Sequence, residues 1–61
     1  MKERMIEIIK NGGIVSVTLD NGIWCSVDSF SPIMDDSFIG YDKDGDEEEY
    51  YFLDVIEVEQ V

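Results

Sequence analysis

The sequence predicts a small, mainly β domain of the α+β type. A short N-terminal helix precedes a strongly bent five-stranded antiparallel sheet or small barrel. Three observations lead there. Apolar residues recur at helical spacing only over the first ten positions. Beyond them, short alternating runs are separated by glycine-containing turns at close intervals. The chain is 61 residues long, which is enough for one domain, residues 1–61, and no more.

The helix is expected over residues 1–10. Met1, Met5, Ile8 and Ile9 share a face, with Ile6 beside them. Glu3 and Glu7 are expected to pair with Arg4 and Lys10, which adds little energy. Asn11-Gly12-Gly13 stops the helix, because glycine tolerates the left-handed conformation that ends one. A helix of this length does not hold alone, so its apolar face must dock.

Strands are expected at about 14–19, 23–28, 37–41, 49–53 and 56–61. Val15, Val17 and Leu19 alternate onto one face, and Ile23, Cys25 and Val27 onto another. The loop between them has two registers. A two-residue Asn21-Gly22 turn sets Val17 against Ser26 and splits the apolar set. A three-residue loop, Asp20-Asn21-Gly22, pairs Leu19 with Ile23, Val17 with Cys25 and Val15 with Val27. The second keeps the apolar face continuous and is preferred, with Gly22 left-handed in a bulge. Trp24 then points away from that face, opposite Thr18.

Residues 29–37 hold the single proline, Pro32, and read as a loop or bent segment. Asp42-Lys43-Asp44-Gly45 is a type I turn followed by a left-handed glycine. The fourth strand places Tyr50 and Phe52 on one side and Tyr51 and Leu53 on the other. A short turn is expected at Asp54-Val55. The fifth strand is expected to send Ile56 and Val58 inward and Glu57 and Glu59 outward.

This order resembles the Sm-like and SH3-like small barrels. The resemblance rests on Val17-Thr18-Leu19-Asp20-Asn21-Gly22 and on Phe52-Leu53-Asp54-Val55-Ile56-Glu57-Val58. These are similar to the first hairpin and the closing strand pair of Sm-like proteins, and the N-terminal helix suits that family. The resemblance implies architecture only. Sm-like RNA sites use a polar residue, often Asn, by the third strand and basic or glycine residues near the closing strands. Here those stretches read Met34-Asp35-Asp36-Ser37-Phe38 and Leu53-Asp54-Val55, and the second strand lacks its bending glycine. RNA binding is therefore carried over to no residue.

Charge narrows the function further. Fifteen Asp and Glu stand against four Lys and Arg, for a net of -11. The first ten residues carry three basic and two acidic side chains, while the rest carry thirteen acids and only Lys43. Anionic nucleic acid and lipid surfaces should repel such a body, so no direct nucleic-acid or membrane partner is expected. A basic protein partner is favoured. A domain this short buries only about 60% of its unfolded surface, so help from oligomerisation or unusually good packing is expected. With one Cys and no His, neither an intrachain disulfide nor a zinc site is available. A free Cys and a charged, amphipathic N-terminus without an apolar core favour the cytoplasm.

Asp42 to Glu49 place six carboxylates in eight positions. A calcium loop starting at Asp42 would need Gly at its sixth position and Glu at its twelfth, where Glu47 and Leu53 stand. No metal or cofactor is expected. The plain reading is a turn with a solvated acidic strand. The sharper reading is nucleic-acid mimicry: carboxylates two apart on a strand lie about 6.6 Å apart on one face, as a ladder of Asp42, Asp44 and Asp46 or of Glu47 and Glu49. By size and charge the chain resembles small acidic phage-encoded inhibitors of host defence and transcription machinery.

Catalysis is not expected. A nucleophile at Cys25 or a Ser lacks the usual histidine base, and Cys25 falls on the core face. Trp24 has two readings. Facing outward, it is an interface anchor; alternatively the helix or the Ser29 to Met34 loop covers it.

The expected function is a non-enzymatic acidic protein-binding module, in its most specific form a phage or mobile-element inhibitor acting by charge mimicry. Asp42, Asp44, Asp46, Glu47, Glu48, Glu49, Glu57 and Glu59 would supply charge and Trp24 the apolar anchor. Two alternatives stand beside it: an assembly protein that forms a homo-oligomer through its helix or an edge strand, and an oligomer that sequesters a small ligand.

Overall fold

The computed structural model describes residues 1–61. One helix, α1 (Lys2–Lys10), precedes five strands: β1 (Val15–Leu19), β2 (Trp24–Val27), β3 (Ser37–Tyr41), β4 (Glu47–Tyr51) and β5 (Val55–Gln60). They form one antiparallel sheet in the order β4-β3-β2-β1-β5. The expected fold class is the observed one. β4 and β5 are the two edges of the sheet, joined by a single 3₁₀ turn, Phe52–Asp54.

α1 buries Met5 and Ile8 against the sheet, with Ile9 half-buried beside them. Met1 stays exposed. The expected pairing of Glu3 and Glu7 with Arg4 and Lys10 does not form; the one ion pair is between the terminal ammonium and Glu3 at 3.8 Å. These side chains are all exposed, so water competes with each contact. The helix ends at Asn11, where Gly12 takes φ +79°, and the N–H groups of Gly13 and Gly12 donate to the carbonyls of Ile8 and Ile9. This pairing satisfies two terminal carbonyls and requires the left-handed residue between them.

The first hairpin has the three-residue register. Val15 faces Val27, Val17 faces Cys25 and Thr18 faces Trp24. The Leu19 N–H donates to the Ile23 carbonyl at 2.8 Å, and Gly22 closes the loop at φ +83°. Val15, Val17, Leu19, Cys25 and Val27 are all buried. Ile23 is the exception, exposed beyond the first residue of β2.

β2 and β3 pair only at Ser26 and Tyr41. The loop after β2 takes over from there. Pro32 accepts from the Ile39 N–H, and Ile33 bridges Phe38. Pro32 needs no donor of its own for this, which suits a residue that has none. Phe38 reaches the core and meets Phe52, with ring centroids 4.9 Å apart.

The last third departs from expectation. β4 runs over residues 47–51 rather than 49–53, and Phe52 and Leu53 belong to the 3₁₀ turn. β5 begins at Val55, and its register shifts against β1 between Thr18 and Leu19. That bulge re-aims the start of the strand: Val55 and Val58 are buried, whereas Ile56 is exposed instead of inward. Glu57 and Glu59 are exposed, as expected.

Candidate functional site

The core occupies one face of the sheet, and the ladder registers define what lies on the other. Thr18 opposes Trp24 and Glu57, while Ser16 opposes Ser26 and Glu59. Ser26 opposes Tyr41, which opposes Glu47, and Ile39 opposes Glu49. Directly opposed residues point to the same side. The outer face therefore has an aromatic and hydroxyl centre, with Trp24, Tyr41, Ser16, Ser26 and Thr18. Glu47 and Glu49 border it on β4, and Glu57 and Glu59 on β5. Four strand spacings separate those borders, at most about 19 Å for a flat sheet.

Trp24 lies on this outer face, away from the core, and is 41% exposed. α1 does not cover it, since the helix packs on β1 and β5 from the core side. The indole Nε1–H donates to Ser16 Oγ at 2.6 Å, which fixes the ring across the β1–β2 pair. Beside it lies a cleft of about 460 Å³ lined by Gly22, Ile23, Trp24, Asp42, Lys43 and Asp44. The tips of the two hairpins thus meet here. Asp42 and Asp44 join Trp24, as does Ile23, which sequence reasoning did not single out. Leu19, opposite it, is buried because β1 also pairs with β5 through Val55, whereas β2 meets β3 only at Ser26 and leaves Ile23 without a neighbour on that side.

The six acids of the second hairpin do not act as one ladder. Asp42, Asp44 and Asp46 sit around a turn rather than along a strand. Asp42 Oδ1 accepts the N–H groups of Asp44 at 2.9 Å and Asp46 at 3.0 Å, so this carboxylate shapes the turn. Glu48 opposes Gly40 and points to the core side of the sheet, away from Glu47 and Glu49. Glu49 accepts from buried Ser37 Oγ at 2.8 Å. No basic side chain forms an ion pair with any of these acids. No group of three or more His, Cys, Asp or Glu is arranged to hold a metal ion.

Two groups have shifted titration. Burial pushes the Cys25 thiol up from 9.0 to about 11. Cys25 is fully covered and packed behind Gly40, as a small apolar residue would be. The Tyr50 hydroxyl is also held above its ordinary value, by burial first and then by the negative charges of Cys25, Asp42 and Glu48.

No family model, curated protein or solved structure matches this chain. No helix is long and apolar enough to cross a membrane.

Proposed function

We propose that the protein is a non-enzymatic binding module that receives a basic protein partner on the outer face of its sheet. The observation that carries this reading is the convergence of Trp24, Asp42 and Asp44 on one cleft, where the two carboxylates outnumber the single cation Lys43, on the same face as Glu47, Glu49, Glu57 and Glu59. A fixed aromatic ring supplies desolvated contact area at modest entropic cost, the property that enriches Trp at interface hot spots. An Arg or Lys of the partner would lie against the ring with Asp42 and Asp44 beside it. The rim glutamates would speed encounter and make it salt-dependent.

In its most specific form the module is an inhibitor, of phage or mobile-element origin, that occupies the nucleic-acid groove of a host defence or transcription protein. Two separated acidic borders around an uncharged centre support it, because a duplex also presents two anionic strands. Glu48 contributes from the other side and is dispensable in this version. The small-barrel resemblance agrees with one helix ahead of five strands, and it adds architecture without a function.

The test is affinity capture from a native host lysate followed by elution over a salt gradient. The expected result is a basic nucleic-acid-binding protein that elutes with salt and is lost from a Trp24→Ala, Asp42→Asn, Asp44→Asn variant. Capture of that protein unchanged by the three substitutions removes the reading.

A second reading has its own observation. Both sheet edges are open, and β5 exposes Ile56 beside its free backbone. Such an edge can pair with another copy. Sedimentation decides it: a monomer at tens of micromolar removes assembly as the function.

A further inference from the structure

A second groove lies between the start of α1 and the β4–β5 connection. Its volume is about 850 Å³, and it shares no lining residue with the Trp24 cleft. We propose that this groove docks a segment of a partner protein carrying a bulky apolar side chain next to a Lys or Arg.

The turn Phe52–Asp54 builds the groove. A 3₁₀ turn has three residues per turn, so neighbouring side chains splay widely. Phe52 goes inward onto Phe38, and Leu53 goes outward, where it is 95% exposed. Tyr51, 52% exposed, stands beside it. Exposing a leucine to this degree next to an aromatic serves no fold contact. Nor is the turn loose. The Phe52 N–H donates to the Asp36 carbonyl at 3.0 Å, and the Asp54 carbonyl accepts from Asp20 at 2.8 Å. The apolar wall is therefore held at both ends, so little ordering cost remains for binding.

Charge selects the occupant. Asp35, Asp36 and Asp54 line the groove around these apolar side chains. The floor already holds a cation: Lys2 Nζ sits 5.3 Å from the Phe52 ring centroid and donates to the Asp35 carbonyl at 2.9 Å. Lys2 occupies that aromatic face and carbonyl, so a partner's Lys or Arg would meet the Asp35, Asp36 and Asp54 carboxylates, none of which forms an ion pair. A second copy of this chain is a poor occupant, because each copy carries a net charge of -11.

The test is titration of ¹⁵N-labelled protein with three capped ten-residue peptides. In the first, Leu and Phe alternate with Arg and Lys. In the second, Ser replaces Leu and Phe; in the third, Glu replaces Arg and Lys. The first alone should shift the amides of Tyr51 to Asp54, Asp35 and Asp36, saturably below about 1 mM. Leu53→Ser should weaken that binding by about tenfold or more. Its spectrum should stay folded, since the side chain it replaces is exposed. Asp35→Asn with Asp36→Asn should weaken binding and flatten its salt dependence. Trp24→Ala should leave this titration within about twofold, which separates failure here from failure of the outer-face reading. Unmoved groove amides, equal shifts with the Ser peptide, or binding indifferent to Leu53→Ser would each overturn the proposal. So would concentration-dependent shifts at these amides without peptide, which would mean that a second copy is the occupant.

Discussion

The two hairpins use similar turns for opposite purposes. Each closes through a glycine at positive φ, Gly22 in the first and Gly45 in the second. The first hairpin sends five side chains into the core: Val15, Val17, Leu19, Cys25 and Val27. The second sends in Phe38 as its one fully buried large side chain, and its outer strand carries three consecutive glutamates. A strand packed on one face only, at a sheet edge, is free to hold charge that a central strand is not. The charge therefore sits where it costs the fold least.

The largest effect expected from breaking this division is at Phe38. The second hairpin hangs on that one ring, which packs on both Phe52 and Tyr50. Phe38→Ala should cost about 3–5 kcal/mol, comparable to the whole stability of a domain this small. Loss of a cooperative thermal transition would report it. Leu19→Ala, in the better-filled first hairpin, should cost about 2–5 kcal/mol, toward the lower end where neighbours can close the gap.

A second break lies where the hairpins touch. A Cβ built on Gly40 would stand 3.0 Å from Cys25 Sγ and 3.2 Å from the Ser26 carbonyl. The carbonyl is backbone and has little room to retreat. Gly40→Ala should therefore cost about 1–3 kcal/mol by overpacking, read as a lower urea midpoint with an unchanged slope.

The third concerns pH. The folded Cys25 thiol titrates near 11 against 9.0 when free. Below the lower value both states hold the proton, and the thiol's contribution is intact. Between the two values only the unfolded chain ionises, so stability falls with rising pH, at about 1.4 kcal/mol per unit. Urea melts of the native protein and of Cys25→Ala at pH 8.5 and 10.5 should diverge in this sense. Equal slopes would show that the thiol is not the cause.

The smallest effect on folding should come from the second hairpin's acids. Replacing Glu47, Glu48 and Glu49 by Gln should change stability by less than about 0.5 kcal/mol per site, with a small gain in low salt as repulsion is relieved. A large loss would mean that these side chains hold the fold. The contact between Glu49 and Ser37 is where that would arise.

Much of this molecule is determined by local sequence. The helix stop at Gly12, the three-residue loop at Gly22 and the turn at Asp42 to Gly45 follow from residues that are neighbours in the chain. The register of the first hairpin does too, because only one pairing keeps Val15, Val17, Cys25 and Val27 on one face. What the sequence left open depends on partners far apart in the chain. The end of β4 differs from the expected one because Tyr50 to Leu53 are an unbroken aromatic and apolar run that suits a strand, while the turn there is held by Asp36 and Asp20. The exposure of Ile56 depends on a bulge against β1, which no pattern within β5 contains. The meeting of Trp24 with Asp42 and Asp44 joins two hairpin tips about twenty residues apart. Local composition sets turns and alternation; which faces and loops come together is decided only when the sheet assembles.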